Sequence, residues 1–171
     1  MRVLLPFLMV LVSFLAFSQA NKKVRIHAYE QQVLPGVRRV TVDESGNQRE
    51  VPQKKIVHYF IYLEAPASKK IDPKHIWIRG KLYSIKVEKP KLPVVINNLS
   101  FPNKAADTLI RQTPDPVIQL VPSTPADAFA ATNSVKRKMK KNAIVLHTIE
   151  NGKDCYYYLE GIKTLDPMAL Q

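Results

Sequence analysis

The run Ile56-Val57-His58-Tyr59-Phe60-Ile61-Tyr62-Leu63 limits the fold more than any other feature, because it is rich in β-branched and aromatic residues on both alternating sets of positions. Such residues suit a pleated surface, and apolar character on both sides places a strand between two covered faces. The segments around it repeat the theme. Val24, Ile26 and Ala28 alternate with Arg25 and His27, Val40 and Val42 share one side, Ile76 and Ile78 oppose Trp77, and Tyr83, Ile85 and Val87 alternate with Ser84, Lys86 and Glu88. A period of two marks half-buried strands.

Turn chemistry separates these runs. Asp43-Glu44-Ser45-Gly46-Asn47 and Asp72-Pro73 read as turns, and Gly80-Lys81 as the join of a hairpin. Gln48 to Lys55 is polar and holds Pro52, so it reads as an edge or a loop. Ala143–Ile149 and Lys153–Leu159 flank Asn151-Gly152, the pair best suited to a type I′ reversal between antiparallel strands. Between Pro90 and Pro125 regularity weakens, and only Val94–Ile96 and Val117–Val121 suggest short edge strands. Thr124-Pro125-Ala126-Asp127 resembles a helix start, with Ala128, Ala131, Val135 and Met139 following at helical spacing, although the Lys/Arg-rich end also suits entry into a strand. The expected fold is therefore mainly β: an antiparallel β-sandwich of immunoglobulin-like architecture with at most one short helix.

The beginning of the chain has a different character. Arg2 precedes an apolar run from Val3 to Phe17, and Ser18-Gln19-Ala20 follows. These are the parts of a secretory signal peptide, and the run is short for a membrane span. The expected organisation is a cleaved signal over 1–20, one β-sandwich domain over 21–165 with a proline-rich irregular middle over 90–125, and a frayed tail over 166–171. The mature protein is expected in the periplasm or outside the cell, with no transmembrane span once the signal is removed.

Composition narrows the chemistry. Among 171 residues there are 5 glycines, 1 cysteine and 4 histidines. One cysteine excludes an internal disulfide framework and any CxxC pair. No nucleophile elbow, HExxH pair or glycine-rich phosphate loop is present, and acids such as Asp43, Glu44, Glu64 and Asp154 read as ordinary turn or strand-end residues. The chain is expected to be no enzyme and to need no cofactor.

The 26 Lys and Arg against 14 Asp and Glu give a net charge of +12. An excess of this size draws anionic partners and weakens with salt. It is densest at Lys136, Arg137, Lys138, Lys140 and Lys141, which read either as a solvated face or as an anionic-surface binding patch. Aromatic interleaving is missing there, and export argues against nucleic acid as a partner. Tyr156, Tyr158 and Trp77 form a second candidate, an interaction face for a protein or a carbohydrate.

Three readings follow. The first is an exported, non-enzymatic interaction module of the cell envelope that meets a protein or complex through a strand edge or the tyrosine face. The second is an electrostatic binder of anionic envelope lipid or polysaccharide through Lys136–Lys141. The third is a metal-binding protein or enzyme that gathers His58, His147 and Cys155. Cys155, beside three consecutive tyrosines, reads as a buried strand residue, with a reactive thiol as the alternative.

Overall fold

The computed structural model describes residues 23–34, 40–50, 56–97, 105–125 and 132–169. The expected signal peptide lies outside them. In chain order the elements are β1 (Arg25–Leu34), β2 (Val40–Val42), β3 (Gln48–Glu50), β4 (Ile56–Glu64), β5 (Ile71–Ile78), β6 (Lys81–Glu88), β7 (Val94–Ile96), β8 (Asp107–Ile110), β9 (Val117–Pro125), α1 (Asn133–Lys141), β10 (Ile144–Glu150), β11 (Lys153–Leu159) and β12 (Lys163–Ala169).

Eight strands form one sheet in the order β11-β10-β5-β6-β9-β4-β1-β12. Every neighbouring pair is antiparallel except β1 and β12, which run parallel. The sheet curls into a half-barrel, and β11 touches β1 although five strands lie between them. Right-handed strand twist accumulates across a wide sheet and favours this curl. The inner face holds Ala28, Ile61, Leu63, Ile76, Ile78, Leu120, Ile144 and Leu146, contributed by β1, β4, β5, β9 and β10. Each fully buried Ile or Leu contributes roughly 1.5–3 kcal/mol. The two-sided pattern of Ile56–Leu63 is explained by the opposite face. There Tyr62 packs with Tyr29, Leu109, Ile110 and Val117 beneath the β7–β8 hairpin. The Tyr29 hydroxyl pins that cover by donating to the Leu109 carbonyl at 2.6 Å.

Among the described residues the strand-rich reading and the one short helix agree with the structure, but the arrangement of strands differs from the expected sandwich. The large sheet is mixed, and its outer face meets a helix and a two-stranded hairpin rather than a second full sheet. Face alternation is written in each strand, whereas pairing partners are not.

The other differences lie at prolines. Asp72-Pro73 lies inside β5, where the pairing with β10 slips register next to Pro73. The proline-rich middle supplies β9, a central strand, with Pro122 and Pro125 in its irregular pairing with β6. The expected tail is most of β12, and Pro167 falls where its pairing with β1 shifts between Gln31 and Val33. A bulge interrupts the ladder, so the missing N–H of proline does less harm there than in regular pairing. Gln48–Glu50 also pairs, closing a hairpin with β2 around the Asp43 turn, whose carboxylate accepts from the amides of Ser45 and Asn47.

Two reversals share one geometry. Asn151 and Gly152 have φ of 50° and 77°, the type I′ pair that the sequence implied. Arg79 and Gly80, at 49° and 78°, make the β5–β6 turn one residue earlier than Gly80-Lys81. Thr124 and Pro125 end β9 rather than start a helix. The expected helix residues Ala126 to Ala131 lie outside the described residues, and α1 begins at Asn133.

Candidate functional site

Helix α1 is held at both ends and along one side. Thr132 is its N-cap, and its hydroxyl accepts from the Val135 amide at 3.4 Å. Asn142 closes the other end through its side-chain and backbone N–H groups, both donating to the Lys138 carbonyl. Lys138, Lys140 and Lys141 sit in the last turn, where positive charge complements the helix dipole. Val135 is buried against Trp77 and Val145, and Met139, Leu82 and Tyr156 pack around that core. The candidate helix residues Val135 and Met139 are therefore the inward face, as their spacing implied.

This packing decides where the charges point. Lys136, Arg137, Lys138, Lys140 and Lys141 are all exposed, and among the described residues none makes an ion pair. Lys138 is the exception in orientation, since its ammonium lies 5.3 Å from the centre of the Tyr158 ring on β11. A cation over an aromatic face is attracted by the ring quadrupole.

The three residues of the expected interaction face are separated by depth. Trp77 is only 4% exposed beneath α1 and is a packing residue. Tyr156 is half-buried and stacks on His147 with ring centres 4.9 Å apart. Tyr158 is exposed, so only this ring of the three is a surface residue, and it adjoins the basic helix.

Beside the helix, across β5, β10 and β11, runs a polar chain that sequence reading did not anticipate. His147 is buried, and its Nε2 lies 2.7 Å from Asp154 Oδ1. Its Nδ1 lies 3.4 Å from His75 Nδ1. Register explains the meeting, because His147 is the cross-strand neighbour of both His75 and Tyr156. The carboxylate favours a proton on His147 Nε2, which leaves Nδ1 of the neutral ring to accept from His75 Nδ1–H. Burial holds the His75 imidazole below its usual range, and repulsion from Lys74, and from His147 whenever that ring is protonated, pushes the same way. A chain of this kind can hold or pass a proton.

The proposed metal set does not gather. His58 is on β4, with β9, β6 and β5 between it and β10. Cys155 pairs with Thr148, on the opposite side of the sheet from His147. Its thiol is free and half-buried. Among the described residues no group of three His, Cys, Asp or Glu is placed to hold a metal ion. No protein-family description, curated protein or solved structure matches the chain.

A second polar cluster stands at the far side of the outer face. Glu64 is buried, accepts from Thr113 Oγ1 at 2.7 Å and lies 3.0 Å from His27 Nε2, with Arg25 at 4.0 Å. Burial pushes its carboxyl up, but the hydrogen bonds from Thr113 and His27 and the charges of His27 and Arg25 outweigh that, and the net shift is down. Glu64 and Asp154 were read as ordinary acids, yet each fixes a histidine. Their partners lie 37 and 7 residues away, and only strand pairing shows that they meet.

Proposed function

We propose that the chain is an exported, non-enzymatic binding module that docks on an anionic lipid surface of the cell envelope through helix α1. One observation supports this above the rest: five cations stand exposed on a helix whose apolar side is fixed to the sheet. Anchoring by Val135 and Met139 presents the charges as a set, so little ordering cost falls on binding. Phosphate headgroups attract such an array at about 1 kcal/mol per basic residue near the surface. The signal-like start of the sequence agrees with this address. Among the described residues no helix is long and apolar enough to cross a membrane, and peripheral docking needs none.

The competing protein-interface reading loses part of its footing, because Trp77 is buried, which leaves Tyr158, with Lys138 beside it, as the exposed ring of the three. The test is to titrate the protein lacking residues 1–20 with vesicles of neutral lipid, with vesicles containing phosphatidylglycerol, and with soluble polygalacturonate. Binding confined to the anionic vesicles and reduced by salt supports lipid docking. Preference for the polymer transfers the patch to an acidic polysaccharide. Equal binding to neutral vesicles removes the electrostatic basis.

A further inference from the structure

We propose that the slot between β4 and β9 receives an extended, uncharged segment of a partner polypeptide as a short inserted strand. The slot originates in the pairing of the sheet. β4 meets β9 only from the Ile61–Leu120 pair to the Glu64–Val117 pair, and the ladder stops there. Before Ile61, β4 continues in regular register along β1, while beyond Leu120 β9 continues along β6. The register of β9 against β6 shifts between Pro122 and Pro125, and a bulge bends the strand that carries it. The two strands part, and a cleft of about 440 Å³ opens between them.

The lining identifies the occupant. Tyr59 and Tyr83 belong to the inner face, and Pro122 joins them as the cross-strand neighbour of Ile85. Phe60 belongs to the outer face, and so does Gln119, the cross-strand neighbour of Tyr62. All five line the cleft. It is therefore a gap within the sheet, open to both faces, rather than a pocket on one of them. Successive residues of a strand point their backbone N–H and C=O groups to opposite sides. Alternate residues of 57–60 thus aim these groups into the slot, past the point where the ladder with β9 has ended. Opposite them, β9 is paired only on its β6 side. A ligand that offers backbone donors and acceptors to strand edges, and alternating side chains to both faces, is an extended peptide. Sheet geometry allots about 160 Å³ to each strand residue, so the slot holds about three residues. No Asp, Glu, Lys or Arg is among the described residues that line it, so the guest residues are uncharged. Because β4 and β9 are antiparallel, the guest runs parallel to one and antiparallel to the other, as β1 already does between β12 and β4. This inference does not depend on the lipid reading of helix α1.

The test is amide hydrogen exchange, read by NMR on the protein lacking residues 1–20, alone and with capped hexapeptides that alternate threonine with valine, leucine or tyrosine. Without peptide, alternate amides of 57–60 should exchange fast beside slow exchange over 61–64. At least one hexapeptide should slow the fast set. Replacing its two central apolar residues by proline should weaken binding about tenfold or more, the scale of two lost hydrogen bonds, and lysine at the same positions should do so through the cost of burying charge. Slow exchange throughout 57–60 before any peptide is added overturns the proposal: a size that rises with protein concentration then gives the slot to a second copy, and a constant size gives it to this chain itself. Binding of no hexapeptide, equal binding of the proline version, or slowed exchange in α1 alone overturns it as well.

Discussion

Neutralising the outward charges of α1 should abolish the proposed membrane docking without unfolding the protein. A helix turns about 100° per residue. With Val135 and Met139 against the sheet, Lys136, Arg137, Lys140 and Lys141 fan over about 140° of the opposite side, and Lys138 sits at the flank over Tyr158. A flat anionic surface can therefore engage four of the five cations together. At about 1 kcal/mol each, the four contribute about 4 kcal/mol, or roughly a thousandfold in affinity. Glutamine is close to lysine in helix propensity, and the substitutions leave the Val135 contacts untouched, so the cost to folding is confined to a few tenths of a kcal/mol from the helix dipole. The assay is flotation with vesicles containing about 30% phosphatidylglycerol in about 0.1 M salt, comparing the parent with the Lys136→Gln, Arg137→Gln, Lys140→Gln, Lys141→Gln variant. Raising salt to about 0.5 M, where the Debye length is near 4 Å, should release the parent as well. A variant that binds within threefold of the parent, or a parent indifferent to salt, refutes the reasoning.

Acidification should destabilise the fold in two steps. His75 is held below its ordinary value of 6.5, so the neutral form is favoured in the folded state, and its contribution is present above that pH and lost as pH falls through it towards the folded value. Glu64 is held below 4.5, so its contribution is lost in the same direction but only below that pH. Urea unfolding at a series of pH values should show both slopes, with His75→Gln flattening the upper one and Glu64→Gln the lower; a slope that survives its substitution contradicts the assignment. In the inner core Leu146 has 0% exposure, so Leu146→Ala should cost about 2–5 kcal/mol, whereas Val42→Ala on the exposed hairpin should stay within about 0.5 kcal/mol. Denaturant midpoints for the two variants check that contrast.

Much of the strand content was legible, because a period of two needs only local information. Tyr83, Ile85 and Val87 announce their strand without any partner, and Asn151-Gly152 announces its turn. Pairing was not legible. His75 and His147 are 72 residues apart, and nothing near either residue says that β5 lies against β10. The same gap hid the role of Trp77. Its alternation identified a face, but α1, which buries that face, comes more than 50 residues later. Proline misled in a systematic way: Pro73, Pro122 and Pro167 all lie at irregular pairings, and local rules treat each as a break. Within the candidate site, the basic cluster could be read directly as charge, whereas the polar chain beside it exists only through the register of three strands.

The parallel partnership of β1 with β12 also carries a consequence for the order in which the chain can mature. Gln31 on the first strand of the sheet donates to the Asp166 carbonyl on the last, a contact that closes across 135 residues. Contacts of such long range form late and make folding slow. A chain delivered from its N-terminus onwards thus presents β1 long before the strand that completes its outer edge has been supplied. The half-barrel therefore stays open through nearly the whole of delivery. The same delay leaves the β1 edge unpaired in the interval, and the arrival of β12 moves the open edge of the sheet from the first strand to the last.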